Sequence, residues 1–286
     1  MPKPYRLSQL GVIQVTGDDQ RSYLQGQLTC DMSQLDQQHW LAGCHCDAKG
    51  KMWSNFILLQ ADEGLFMVMH RAVLPASLAA LQKFGVFAKV DITDVSADIA
   101  VYGQLTADVQ YPALATATLP FGQLWLANND LDADSDDSPW QIAQIQAGWP
   151  LLCDSEHVGE LVPQMLNQAA IGAVSFKKGC YIGQETVARM QYLGKQKRAT
   201  FYLTATAAEE FHISGNNQLE ISRNGNWRKA GTLLNSVLDQ DGKLHTLAVL
   251  ASDASNEESY RLVDETEASI ALSLQPLPYE PMPSSD

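Results

Sequence analysis

Ser175-Phe-Lys-Lys-Gly-Cys-Tyr-Ile-Gly-Gln-Glu185 gathers a thiol, two ammonium groups, two glycines and a carboxylate into one short run. Gly179 and Gly183 flank Cys180, Tyr181 and Ile182, and glycines so placed let the backbone turn sharply or come close to a ligand. A thiol following two lysines ionises more readily if either ammonium faces it, which makes Cys180 the candidate reactive group. The same thiol could be a small packed hydrophobe, the common fate of free cysteine. Working outward, Lys177, Lys178, Arg189, Lys195, Lys197 and Arg198 oppose Glu185 alone over residues 177–198, in a chain whose net charge is -14. A solvated basic face accounts for such a run, and so does a site for an anionic ligand or an RNA backbone.

With 286 residues, 45% of them hydrophobic, the chain is long and apolar enough for about two domains with sizeable cores. A net charge of -14 and a pI near 4.7 oppose long-range attraction to nucleic acid, so any such contact has to be local. Cys30, Cys44, Cys46, Cys153 and Cys180 are odd in number and irregular in spacing, which predicts reduced thiols rather than a disulfide framework. The first ten residues lack the apolar core of a signal peptide, and no apolar run is long enough to span a bilayer. The expectation is a soluble cytoplasmic protein with no membrane partner. There is no GxGxxG or Walker-type loop, which removes the support for those two nucleotide-binding readings.

Periodicity predicts strands at 11–16, 40–46, 52–60, 65–69, 86–92 and 99–103, and helices at 20–28, 74–84 and 140–147. Asp47-Ala-Lys-Gly-Lys51 suits the tip of a hairpin. Strand alternation sets His45 on the face opposite Cys44 and Cys46, and no second cluster completes four ligands, so no metal site is predicted. The five aspartates of residues 128–137 lack the glycine and distal glutamate of a calcium loop and read as a solvated loop. From Arg198 onward, strands are expected at 199–204, 218–221, 230–234, 244–251, 260–263 and 270–274, a small antiparallel barrel or sandwich. Four prolines mark 275–286 as an extended tail. The fold class is α+β.

Lys178-Gly-Cys-Tyr-Ile-Gly-Gln-Glu185 resembles the signature of the YgfZ family, relatives of the folate-dependent T-protein (aminomethyltransferase) of the glycine cleavage system. His45-Cys-Asp-Ala-Lys-Gly-Lys-Met-Trp-Ser-Asn55 and Tyr23-Leu-Gln-Gly-Gln27 carry the same resemblance, which spans nearly the whole chain. It implies T-protein-like folate-binding domains with ferredoxin-like layers, at 1–45 with 98–190 and at 46–97, then a β-barrel at 196–275 and a Pro-rich tail at 276–286. It implies a tetrahydrofolate site in which Trp140 is the stacking aromatic and Leu10 replaces a second tryptophan. Lys178, Tyr181, Gln184, Glu185, Arg189 and Asn55 join that site through their motifs. The T-protein's catalytic Asp-Asp pair falls at Ser54 and Asn55, which carry no carboxylate, so aminomethyl transfer is not expected. The family's implied role is a folate-binding accessory of iron-sulfur enzymes or their assembly factors and of tRNA thiolation, with effects on replication initiation and only weak or indirect contact with tRNA. An active folate-dependent one-carbon transferase and a direct tRNA-binding module are the alternatives.

Overall fold

The computed structural model describes residues 3–106, 111–128, 130–193, 196–206 and 217–281. In chain order the first part runs β1 (Tyr5–Arg6), β2 (Leu10–Thr16), α1 (Gln20–Gln27), α2 (Leu35–Gln38), β3 (Trp40–Cys46), β4 (Met52–Ala61), β5 (Gly64–His70) and α3 (Leu74–Gly85). It continues with β6 (Asp91–Asp94), β7 (Ala100–Gln104), β8 (Ala115–Leu119), β9 (Gly122–Ala127), α4 (Ser138–Gln146) and α5 (Gln184–Tyr192). The last part is all strand: β10 (Arg198–Thr206), β11 (Gln218–Arg223), β12 (Asn226–Lys229), β13 (Thr232–Leu238), β14 (Lys243–Ala251), β15 (Tyr260–Val263) and β16 (Ser269–Gln275).

These strands form three antiparallel sheets, ordered β1-β7-β9-β8, β3-β4-β5-β2-β6 and β12-β11-β15-β16-β10-β14-β13. The period of two in β2 and β5 explains how the first two sheets stack. Ile13, Val15, Met67 and Met69 point to a core shared with Tyr23 and Leu24 of α1 and Leu74 and Leu81 of α3. Val12, Phe66 and Val68 point the other way, onto Val101, Leu124 and Leu126 of the four-stranded sheet. Both faces of β5 are therefore covered, which is why its sequence is an unbroken apolar run. The third sheet encloses its own core, including Leu203, Leu219, Leu250 and Leu262.

The α+β class and the order of the expected elements hold, with local corrections. Strand 86–92 shrinks to β6, because α3 runs on to Gly85 and the next turn leaves Phe87 fully exposed. Strands β8 and β9 were not anticipated. Among the described residues the C-terminal sheet has seven strands rather than six, since residues 226–229 pair with β11 although all four are exposed. The tail is anchored rather than loose: Leu277 packs on the main core, and the Tyr279 hydroxyl donates to the Gly148 carbonyl. The domain cut expected at 45/46 falls inside one sheet, because β3 pairs with β4 from Trp40 and Leu59 to Cys46 and Met52, and β2 lies between β5 and β6.

Candidate functional site

The loop before α5 is built around Lys178, which is 7% exposed. Its ammonium donates to the carbonyls of Gln25 (2.7 Å), Leu28 (2.6 Å) and Cys30 (2.8 Å), the end of α1 and the chain just beyond it. An ammonium has three donors, so none remains for a ligand or for Cys180. Burial draws the Lys178 pKa down to about 8, opposed by the charges of Cys30 and Asp31. The expected ligand-binding lysine is a staple across the loop, and the Tyr181 ring lies 5.1 Å from its ammonium. Tyr181 is buried and its hydroxyl has no hydrogen-bond partner among the described residues. Burial pushes that phenol well up.

Cys180 sits beside this staple and is exposed, whereas Cys30, Cys44 and Cys46 are buried. Burial pushes Cys30 up to about 12 and raises Cys44 and Cys46 as well. His45 is buried on the α3 side, where its Nδ1 lies 2.9 Å from the Ser77 hydroxyl, and burial lowers its pKa to about 3. Among the described residues no three His, Cys, Asp or Glu side chains converge as metal ligands. On α5, Gln184 is half-buried while Glu185 and Arg189 are exposed.

Two glycines lock this loop to the hairpin tip. Gly183 has φ +86°, and a Cβ there would lie 2.4 Å from the Asp47 carbonyl. Gly50 has φ +75°, and its Cβ would lie 2.9 Å from Thr186 of α5. Both positions require the left-handed region and a close approach, so glycine is specified twice over. Gly179 has open space around it and no such requirement.

Asn55 and Trp140, expected at a ligand, both make close contacts with the surrounding protein. The Asn55 amide donates to the Pro150 carbonyl at 2.7 Å and accepts from the Leu152 amide at 2.8 Å. A carboxylate could not make the first bond, so this position needs an amide. Trp140 is 1% exposed. A Cβ on Gly103 or Gly122 would lie 2.7 Å from the indole, and Phe121 meets it edge-on at 5.1 Å. Protein atoms thus pack closely on the ring. Leu10, 6% exposed, belongs to the same apolar cluster.

The sequence neighbours of these two residues reach open space. Gln9 and Gln141 line a cavity of about 850 Å3 that also takes in the segment after α4 and the strands β11 to β13. Its carboxylates are Asp154, Glu156 and Glu160, and its cations Arg198 and Lys229 come from the C-terminal sheet or its edge. Gln144 and Asn235 are held in place, the first donating to the Trp149 carbonyl at 3.0 Å and the second accepting from the Leu151 amide at 3.2 Å. At one side Lys51 of the hairpin approaches Glu160 at 3.5 Å, tying the cavity to the Gly50–Gly183 lock. Sequence reading missed this lining, because its residues come from segments far apart in the chain and share no motif. The donor set suits a flat heterocycle with an anionic tail, since amides and carboxylates accept from ring N–H groups and the two cations meet an acid.

Comparison with known proteins agrees with this architecture. A family described as "YgfZ, beta-barrel domain" matches residues 196–265, within the third sheet. The tRNA-modifying protein YgfZ of Colwellia psychrerythraea is 37% identical, over 88% of this chain and 87% of its own. The protein of that name from Photobacterium profundum is 36% identical, over 92% and 87%. That of Escherichia coli O157:H7 is 34% identical, over 93% and 89%. Among solved structures, the glycine cleavage system aminomethyltransferase T of Bartonella henselae superposes with a TM-score of 0.65 at 11% identity, covering 97% of this chain and 86% of that one. The fold is thus that of the T-protein, and the third sheet is the barrel. With identities above a third and nearly end-to-end coverage, the chain is a member of the YgfZ family.

Proposed function

We propose that this protein binds a reduced folate in the 850 Å3 cavity and acts as an accessory of tRNA modification, supporting the iron-sulfur enzymes that carry it out. One observation carries the folate reading: the cavity holds carboxylates and fixed amides together with the cations of the barrel. A pterin offers N–H donors along one edge, which carboxylates and amides accept, and a glutamate tail offers carboxylates, which Arg198 and Lys229 attract. The volume lies within the range of small-molecule sites. The tRNA role rests on kinship with proteins named for it.

Aminomethyl transfer is the less favoured reading. Ser54 is buried 3.1 Å from the Ser77 hydroxyl, and Asn55 spends both ends of its amide on the backbone, so neither offers a base to a substrate. Calorimetric titration with tetrahydrofolate tests the site. Binding is expected, and weaker binding by Glu160→Gln and Arg198→Ala. Absence of binding, or binding that ignores both substitutions, overturns the assignment. For the cellular role, deletion of the gene is expected to lower thiolated tRNA and the wild-type chain to restore it.

A further inference from the structure

A second hollow, of about 560 Å3, shares no lining residue with the first. Trp40 at the start of β3, Phe176 of the motif loop and Tyr192 at the end of α5 all line it. Phe176 and Tyr192 meet edge to face with centroids 5.7 Å apart, and Tyr192 is 66% exposed although it is large and aromatic. Lys177, also lining it, is exposed, as are Gln34 and Gln38. Arg189 is exposed one turn before Tyr192 on the same helix, hence on the same side. Neither Lys177 nor Arg189 makes an ion pair among the described residues, whereas Arg6, Arg21, Arg223 and Arg261 all do. The one carboxylate lining the hollow, Asp31, accepts from the Ser33 amide and hydroxyl and from Gln25, all through Oδ1.

We infer that this hollow receives an unpaired nucleotide of RNA, its base against Phe176, Tyr192 and Trp40 and its phosphates near Lys177 and Arg189. The inference rests on the tRNA role proposed above and gives it a contact surface. An exposed tyrosine beside two half-buried rings, flanked by cations without an ion pair among the described residues, supplies what a single strand needs, because every base has a face to stack and every linkage a charge to neutralise. Gln34 and Gln38 add amides able to read a base edge. With a net charge of -14, the chain has no broad attraction for a duplex, so recognition has to be confined to such a spot.

Fluorescence anisotropy with the full chain at low salt provides the test, using a labelled stem-loop RNA and the same sequence annealed as a full duplex. The stem-loop is expected to bind at least about tenfold more tightly than the duplex, and Tyr192→Ala and Lys177→Glu each to weaken it about fivefold or more. Lys177→Gln is expected to reduce the salt slope by about one. No binding, equal affinity for duplex, or indifference to both substitutions would each overturn the inference. Tetrahydrofolate titration of the same variants separates the two sites. Unchanged folate affinity with lost RNA binding supports the inference, and folate binding with no RNA binding leaves the proposed function standing with tRNA contacted indirectly. Normal thiolated tRNA in cells lacking the gene refutes the cellular role alone.

Discussion

Lys178 shows how far a motif can be read without its geometry. Its place between Lys177 and Cys180 suggested a cation for a ligand or a thiol, yet its three N–H groups are spent on Gln25, Leu28 and Cys30. Lys178→Met would strand three buried acceptors, so a loss of about 3 kcal/mol is expected in urea denaturation. Unchanged stability would mean that the carbonyls find water instead. Cys180 owes its accessibility to its place on the loop. With iodoacetamide followed by peptide mass spectrometry it should react first of the five thiols, since Cys30, Cys44 and Cys46 are buried and Cys153, half-buried, is pushed up to about 12. His45 was legible as facing away from Cys44 and Cys46, but its burial was not. Its folded pKa of about 3 lies below the ordinary 6.5, so the unfolded chain binds the extra proton and stability is lost as pH falls from about 6.5 toward 3. Between pH 7 and 5 that amounts to about 2 kcal/mol, which His45→Asn should abolish while keeping a polar contact to Ser77. An identical pH slope in the two proteins would exclude His45 as its source.

Among the elements, the hairpin tip and the start of α5 behave as one unit, because Gly50 and Gly183 each occupy the space a side chain would need on the other's segment. Gly183→Ala is expected to cost about 2 to 3 kcal/mol by thermal or urea unfolding, from a left-handed φ and a clash with the Asp47 carbonyl. Gly179→Ala, with open space and no positive φ, should cost well under 1 kcal/mol. The sequence showed that glycines mattered here without showing which. Strands with strong alternation, such as β2, β3 and β15, were legible because one or both faces carry large apolar residues. Strand β8 was not, because its inward residues include two alanines, and β12 was not, because no residue in it is buried. Residues 86–90 failed in the opposite sense. Val86 and Phe87 look like strand, yet they lie on an exposed turn, where pattern alone cannot distinguish a surface apolar residue from a core one.

At the scale of the molecule, the two hollows sit where separate parts of the chain meet, one between the barrel and the rest and one between β3 and the end of α5. That explains why composition and motif missed the larger lining, even though Leu10 and Trp140 lie one residue from it, and reached only Ser175, Phe176 and Lys177 of the smaller one. The tail contributes to the first of these junctions. After β16, paired to β10 at Tyr202 and Gln275, the chain crosses back so that Leu277 packs on the main core and Tyr279 reaches Asn167 and Gly148. Gly148 ends α4 with φ +62°, and a Cβ there would lie 2.7 Å from Leu277, so the turn is shaped to admit the tail. Truncation after Gln275 removes an apolar side chain and two hydrogen bonds from this crossing, a loss of about 2 to 3 kcal/mol. A fall in Tm of roughly 5 to 10 °C is expected, with Tyr279→Phe showing a smaller part of it. Because Gln141 and Gln144 of α4 line the cavity proposed for folate, truncation should also weaken tetrahydrofolate binding, whereas the second hollow, proposed for RNA and lined by neither α4 nor the tail, should keep its affinity. Equal loss at both sites would show general unfolding, and no loss at either would show that the tail bears no weight at the junction.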